Sequence, residues 1–295
     1  MQNFIAMQLD LFEHSRDTVL RNDVLSALER HDAAAARTAW QAFAVEFAHD
    51  PNLPPLAALV EALEQRTDAP LADHDAVRAA RQALSERIEP AAGRMLGAAG
   101  AAWLAPLWRQ TARRAAALPF RTDQDEDHCA PLWLRGGDGA TAADAVARIP
   151  SWRRIPATLA WMTEACYRTQ GLDASWALLA ELAWLAPGRF EALTQLLADP
   201  LLSKLRRKFD ASFEGGDEPG GLAWFPAWLL TEASSLAGAL RETQPSRHTA
   251  PEQAMRLLLE LLGLERQGRH RELVERRRAL RDTHASLWSA YMRTR

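Results

Sequence analysis

The chain has 295 residues, 48% of them hydrophobic and 25% charged, with a formal net charge of -3. That apolar content is ample for a large core, in one elongated domain or two compact halves. The near-neutral balance gives no electrostatic reason to expect a nucleic-acid or membrane partner, and no apolar run approaches the ~20 residues of a membrane span.

The opening segment, MQNFIAMQLDLFEHSRD, has no basic region, and Asp10 interrupts its apolar stretch, so no secretory signal is expected. Leu20, Val24 and Leu28 then recur at i, i+4, i+8, followed by Ala36, Trp40, Phe43 and Phe47 at i, i+4, i+7, i+11. Each set is one helical stripe, and the polar ERHDAAA between them reads as the turn of an antiparallel hairpin closed by Asp50-Pro51. After Pro54-Pro55, the stripe Leu56, Leu59, Val60, Leu63 predicts another helix. Val77, Ala80, Leu84 and Ile88 predict a further one, from near Asp73 to Pro90. GRMLGAAGAAWLAPLWRQTARRAAAL reads as helix, kinked or split at Pro106.

Residues 119–150 have a different texture, with an acidic cluster, a Gly-Gly-Asp-Gly turn and one short apolar run, APLWLR, that suits an extended segment. This stretch is expected to be an irregular linker or long loop. Helices resume at Pro156, with Leu159, Met162 and Cys166 as a stripe and Gly171 as a C-cap. Asp173 is expected to cap the next helix, whose Trp176, Leu179 and Leu182 point inward. Phe190, Leu193 and Leu197 mark another helix, and Asp199-Pro200 opens one carrying Leu202, Leu205, Phe209 and Phe213. FEGGDEPGGLAW reads as a flexible loop, and AWFPAWLLTEASSLAGAL as helix. Thr249-Ala-Pro-Glu252 has the form of a capping box leading to Met255, Leu258 and Leu262. Leu273, Leu280, Leu287 and Tyr291 close the chain.

The expected fold is all-α, roughly a dozen helices joined by short turns and stacked as hairpins. LLGLERQGRHRELVERRRALR and DVLSALERHDAAAARTAWQAFAVEFAHDP resemble the helix-turn-helix units of tetratricopeptide repeats, the first through its Gln267-Gly268 turn and the second through its terminal Asp-Pro. Leu273 and Arg277 depart from that pattern, where the family carries a small and an aromatic residue. The resemblance implies an irregular solenoid that binds other proteins. The organisation is then 1–13 as a docking peptide or first helical turn, 14–118 as N-terminal repeats, 119–150 as linker, and 151–295 as C-terminal repeats ending in a basic capping helix.

Motifs for catalysis are absent: there is no GxGxxG, Walker sequence, HExxH or GxSxG. Asp123, Asp125, Glu126, Asp127, His128 and Cys129 form a cluster that a metal-dependent hydrolase could use, but the order lacks calcium-loop spacing. Asp73-His74-Asp75 is explained by capping. Cys129 and Cys166 are too few for a disulfide framework and lack zinc spacing, which suits a reduced, cytoplasmic protein. Neither cofactor nor metal is expected. Cys166, among apolar neighbours, is expected to be a buried structural thiol.

Trp152, Arg153 and Arg154 lie between two prolines, either to contact an anionic partner or to pin a fixed corner. From Leu264 onward there are nine arginines against four acidic residues, centred on Arg276, Arg277 and Arg278. That excess is modest enough to favour the polar face of a capping helix, with Glu272 and Glu275 as ion-pair partners, over direct contact with nucleic acid.

Gln8, Leu9, Asp10, Leu11 and Phe12 resemble, at every position, the pentapeptide with which many bacterial replication and repair proteins dock on the DNA-polymerase sliding clamp. The resemblance implies that Gln8 bonds through its amide while Leu11 and Phe12 fill adjacent pockets. The alternative is a buried first turn, because Ile5, Leu9 and Phe12 also fall at i, i+4, i+7.

Overall fold

A computed structural model describes residues 2–213, 220–246 and 248–294, with side chains described from residue 16. Among these residues all regular structure is helical, and the chain divides into two compact units, Met1–Asp138 and Gly139–Arg295. Among the described residues no helix is long and apolar enough to cross a membrane.

The first unit begins with the hairpin of α1 (Gln2–Glu29) and α2 (Ala33–Glu46). Leu20, Val24, Ala27 and Leu28 are buried on one side of the hairpin, Ala36 and Phe43 on the other. His31 takes a positive φ to turn the chain, and Asp32 caps α2 by accepting the Ala35 N–H at 3.0 Å. Then come α3 (Leu53–Glu64), with prolines in its first turn, and α4 (His74–Gln82), capped by Asp73. Leu56, Leu59, Val60 and Leu63 are all buried.

Pro90 does not end this run. A π-helical segment, Ala83–Ile88, leads directly into α5 (Glu89–Leu96), so Pro90 is carried inside a continuous helical run. The break comes instead at Gly97, whose φ of 55° favours glycine. From there α6 (Gly100–Ala115) is continuous through Pro106, so the expected split lies upstream of that proline. Trp103 on α6 donates to the Leu28 carbonyl at 2.7 Å and stacks on His31, fixing α6 to the first hairpin turn.

The 119–150 stretch is folded rather than irregular. It forms a 3-10 segment (Thr122–Asp127), α7 (Cys129–Arg135) and α8 (Gly139–Ala147), and the division between units falls inside it. APLWLR is helical: Leu132, Trp133 and Leu134 are buried, and burial overrides a local pattern too short to show a period.

The second unit continues with α9 (Pro156–Gln170), α10 (Leu172–Leu185), α11 (Pro187–Leu197) and α12 (Pro200–Ser212). Gly171, at φ 85°, both ends α9 and starts α10, so Asp173 lies inside the first turn and is not the cap. Residues 214–219 of the expected glycine-rich loop lie outside the described residues. After it, the predicted single helix is broken at Ala233 into α13 (Phe225–Glu232) and α14 (Ala237–Arg241). The chain ends with α15 (Ala250–Gln267), α16 (His270–Thr283) and α17 (Ala285–Arg293). Gly268, at φ 68°, forms the turn between α15 and α16. Phe209 meets Phe225 and Trp228 edge-on at 5.5 and 5.3 Å, and Leu258, Leu262, Leu280, Leu287 and Tyr291 share their cluster. Trp176 and Trp228 are core residues of this unit, as their helical spacing implies.

Candidate docking site and competing clusters

The side chains of Gln8, Leu9, Asp10, Leu11 and Phe12 lie outside the described residues. Their backbone runs within α1 (Gln2–Glu29), and the described side chains begin at Arg16. Leu20 is the first described side chain to be buried, and Arg16 holds α1 to α2 by a two-pronged pair with Glu46 at 3.0 and 2.7 Å. The Arg16 bonds lower the Glu46 carboxyl below its usual range. Val19 and Val45 on these two helices are exposed, Val45 by 84%.

The Trp152–Arg154 corner has internal work to do. Arg153 grips Glu181 through two bonds of 2.9 and 3.0 Å and lies over the Trp152 ring at 5.5 Å. Glu181 also accepts the Gln244 N–H at 2.7 Å, so one carboxylate ties the corner, α10 and the segment before α15 together. Burial pushes this carboxyl above the usual glutamate range, against the pull of the Gln244 N–H and Arg153. Trp152 is half-buried against the core, and Thr158 donates to its carbonyl at 2.6 Å. Arg154 alone of the three is exposed.

At the basic end, Arg276 pairs with Glu260 on α15 at 2.9 Å, and Arg277 bonds Tyr291 and Glu265, both at 3.3 Å. The expected partners Glu272 and Glu275 do not serve, since Glu272 pairs with Arg269. The reason is geometric: the antiparallel α15 brings Glu260 and Glu265 across the hairpin, a contact no local spacing reveals. Burial raises the Tyr291 hydroxyl, and its bond to Glu265 adds to the shift. Two of the three arginines are thereby engaged internally, while Arg278 is exposed.

The acidic cluster likewise disperses. Asp127 is buried and shared by Arg78 and Arg81 of α4, at 2.9 and 3.1 Å. Asp123 pairs with Arg121, and Asp125 accepts the Glu126 N–H at 2.8 Å. His128 Nδ1 caps α7 by accepting the Ala130 N–H at 3.2 Å, and its Nε2 lies 3.9 Å from the Cys129 sulfur. Among the described residues no three His, Cys, Asp or Glu side chains are grouped to hold a metal ion. Cys166 is only half-buried, packing with Met162 at the margin of the cluster that Leu159 enters.

No known protein family, curated protein or solved structure matches the chain.

Three buried carboxylates matter structurally and are easily passed over in the sequence. Glu181 is the one charge inside WALLAELAWL, which is itself a signal, since a charge is buried only with partners. Glu164 is pushed above its usual range by burial, with Arg168 opposing. Glu252 is the acidic member of the predicted capping box, but Thr249 makes no side-chain cap bond. Glu252 instead reaches back to the N–H groups of Ser246 and His248, both at 3.0 Å, and to the Ser246 hydroxyl. Arg256 completes its shell at 3.0 Å. Burial raises this carboxyl, but those bonds outweigh it and the net shift is downward.

Proposed function

We propose that this protein is a non-enzymatic helical adaptor that docks on the bacterial DNA-polymerase sliding clamp through Gln8–Phe12 and offers its helical hairpins to a second protein. The observation that carries the reading is the match of QLDLF to the clamp-binding pentapeptide at all positions. The motif lies within the span of α1, and an approach to a partner pocket would use its Gln8, Leu11 and Phe12 side chains. Docking in an extended form requires residues 8–12 to leave the path of α1, which keeps the affinity moderate.

On binding, the Gln8 amide both donates and accepts, Leu11 and Phe12 supply the apolar burial, and Asp10 stays at the rim. The hairpins α1/α2 and α15/α16 support a tetratricopeptide-like arrangement, each being two antiparallel helices about a tight turn. The second partner is a protein on this reading, and neither a cofactor nor direct nucleic-acid contact is invoked. Titration of a purified bacterial clamp with the wild type and with a Leu11→Ala/Phe12→Ala variant tests it. Loss of binding in an undamaged fold is expected, and equal binding by both proteins rejects it.

A further inference from the structure

Between α3, the π-helical segment and α6 lies a cavity of about 130 Å3 whose chemistry is sharply divided. Its apolar lining comes from Ala80, Leu84, Ile88 and Leu107. Arg66, Arg87 and Arg114 line it too, and no carboxylate does among the described residues. Arg87 is neutralised by Glu61 at 3.0 Å. The other two are not: Arg114 spends its Nε on the Ala69 carbonyl at 2.8 Å, and Arg66 is exposed and forms no ion pair among the described residues. A carbonyl satisfies a donor without cancelling its charge, so Arg66 and Arg114 bring two guanidinium groups without an ion pair to a cavity that Gln110, bonded to Asp68 at 3.4 Å, also lines.

Two further features set this place apart from an ordinary packing gap. Its wall is the π-helical segment Ala83–Ile88, a conformation that widens the helix and recurs at ligand sites. The segment after α3 is also strapped to the end of α6, by the Leu71 N–H on the Arg114 carbonyl at 3.0 Å and by the Arg114 side chain. The guanidinium of Arg114 is thereby held in a set direction before any ligand arrives, and a planar fork of this kind matches a carboxylate. The cavity is half open to solvent, and its volume approaches the ~150 Å3 that accommodates benzene in an enclosed apolar site.

We infer that this cavity is a binding site for a small organic anion, one ring-sized apolar group bearing a carboxylate. The ring would pack on Leu84, Ile88 and Leu107, and the carboxylate would meet Arg114 and Arg66.

The test is a calorimetric or NMR titration of the full chain with benzoate, with benzyl alcohol as its uncharged counterpart, and with inorganic phosphate. Benzoate is expected to saturate with a dissociation constant on the order of 1 mM, as befits a ligand of so few atoms. Benzyl alcohol and phosphate should each bind at least roughly tenfold more weakly, one lacking the charge and the other the ring. Arg66→Gln, at an exposed side chain, should weaken benzoate about threefold or more with an unchanged melting temperature. Arg66→Gln with Arg114→Gln should weaken it more than about tenfold, while Arg114→Lys, keeping charge but losing the fork, should fall between. Benzoate and benzyl alcohol binding alike would overturn the inference. So would benzoate binding unaltered by either arginine variant, or no saturation below about 10 mM.

Discussion

Replacing Asp127 by alanine removes an acceptor that two arginines share. Asp127 is 2% exposed, and each of its oxygens takes one guanidinium Nε–H, from Arg78 at 2.9 Å and Arg81 at 3.1 Å. A charge-assisted bond of this type contributes roughly 1.5–3 kcal/mol, so the gross loss is about 3–6 kcal/mol. Part is recovered. Arg78 keeps Asp75 at 2.7 Å, both arginine side chains retain some solvent, and the desolvation of the carboxylate is relieved. The net cost should be about 2–3 kcal/mol, or about 10 °C in the melting of the first unit. Asp127→Asn, which keeps one oxygen acceptor, should cost about half as much. Asp123→Ala, at an exposed position, should stay within about 0.5 kcal/mol of the wild type, and Asp125→Ala, at a half-buried one, within about 1 kcal/mol. Differential scanning calorimetry with added and chelated divalent cation measures all four. If Asp127→Ala melted with the wild type, or released a stoichiometric metal ion, Asp127 would not be the clasp between α4 and the 122–127 segment.

Other substitutions probe the remaining polar network. Glu164→Gln should be neutral or stabilising at pH 7, because burial raises this carboxyl above its unfolded value. The charged form is the one the fold disfavours, so wild-type stability is highest below the usual glutamate range and falls as pH rises through the folded pKa; chemical denaturation at pH 4 and pH 7 should show the advantage of glutamine only at pH 7. Glu252→Gln should do the reverse and cost roughly 2–3 kcal/mol at pH 7, since its shifted-down carboxyl supplies stability above the usual range that is lost as pH falls below it. A pH-independent difference in the same denaturation series would count against the bonded shell around Glu252. Arg277→Gln should loosen α17 by about 1 kcal/mol, whereas Arg278→Gln should change stability by less than about 0.5 kcal/mol. A DNA association that fell steeply with salt and vanished in a triple Arg276/Arg277/Arg278→Gln variant would instead promote a phosphate-binding role.

Helical periodicity made much of the fold legible. The stripes of α1, α3, α10 and the closing helices are buried where the spacing places them, as is that of α12 except for the half-buried Leu205, because a recurring 3.6-residue pattern survives any choice of tertiary neighbour. Boundaries set by tertiary context were harder to read. Pro90 looks like a terminator until a π turn absorbs it, and APLWLR looks extended until burial of Trp133 and its neighbours makes it helix. Polar contacts were legible as helix caps, whereas the local ion pairs expected of Glu272 and Glu275 with Arg276 and Arg278 did not form. Asp32, Asp73 and Asp199 cap helices within three residues, whereas Asp127 meets α4 and Arg276 meets α15 across spans that a single sequence does not reveal. The docking pentapeptide is legible as a pattern of residue types.

The most direct measurement is therefore the affinity of the purified chain for a bacterial sliding clamp, taken together with its melting temperature. The wild type should bind with a dissociation constant on the order of 1–10 µM, as a short peptide with few anchors does. Leu11→Ala with Phe12→Ala removes two apolar anchors worth roughly 1.5–3 kcal/mol each and should weaken binding by a factor of about 100 or more. Asp10→Ser should bind as the wild type, and all three proteins should melt together. No detectable clamp binding by the wild type, with the double variant losing roughly 2–5 kcal/mol of stability per side chain, would place QLDLF in the core of the first helix and contradict the adaptor reading.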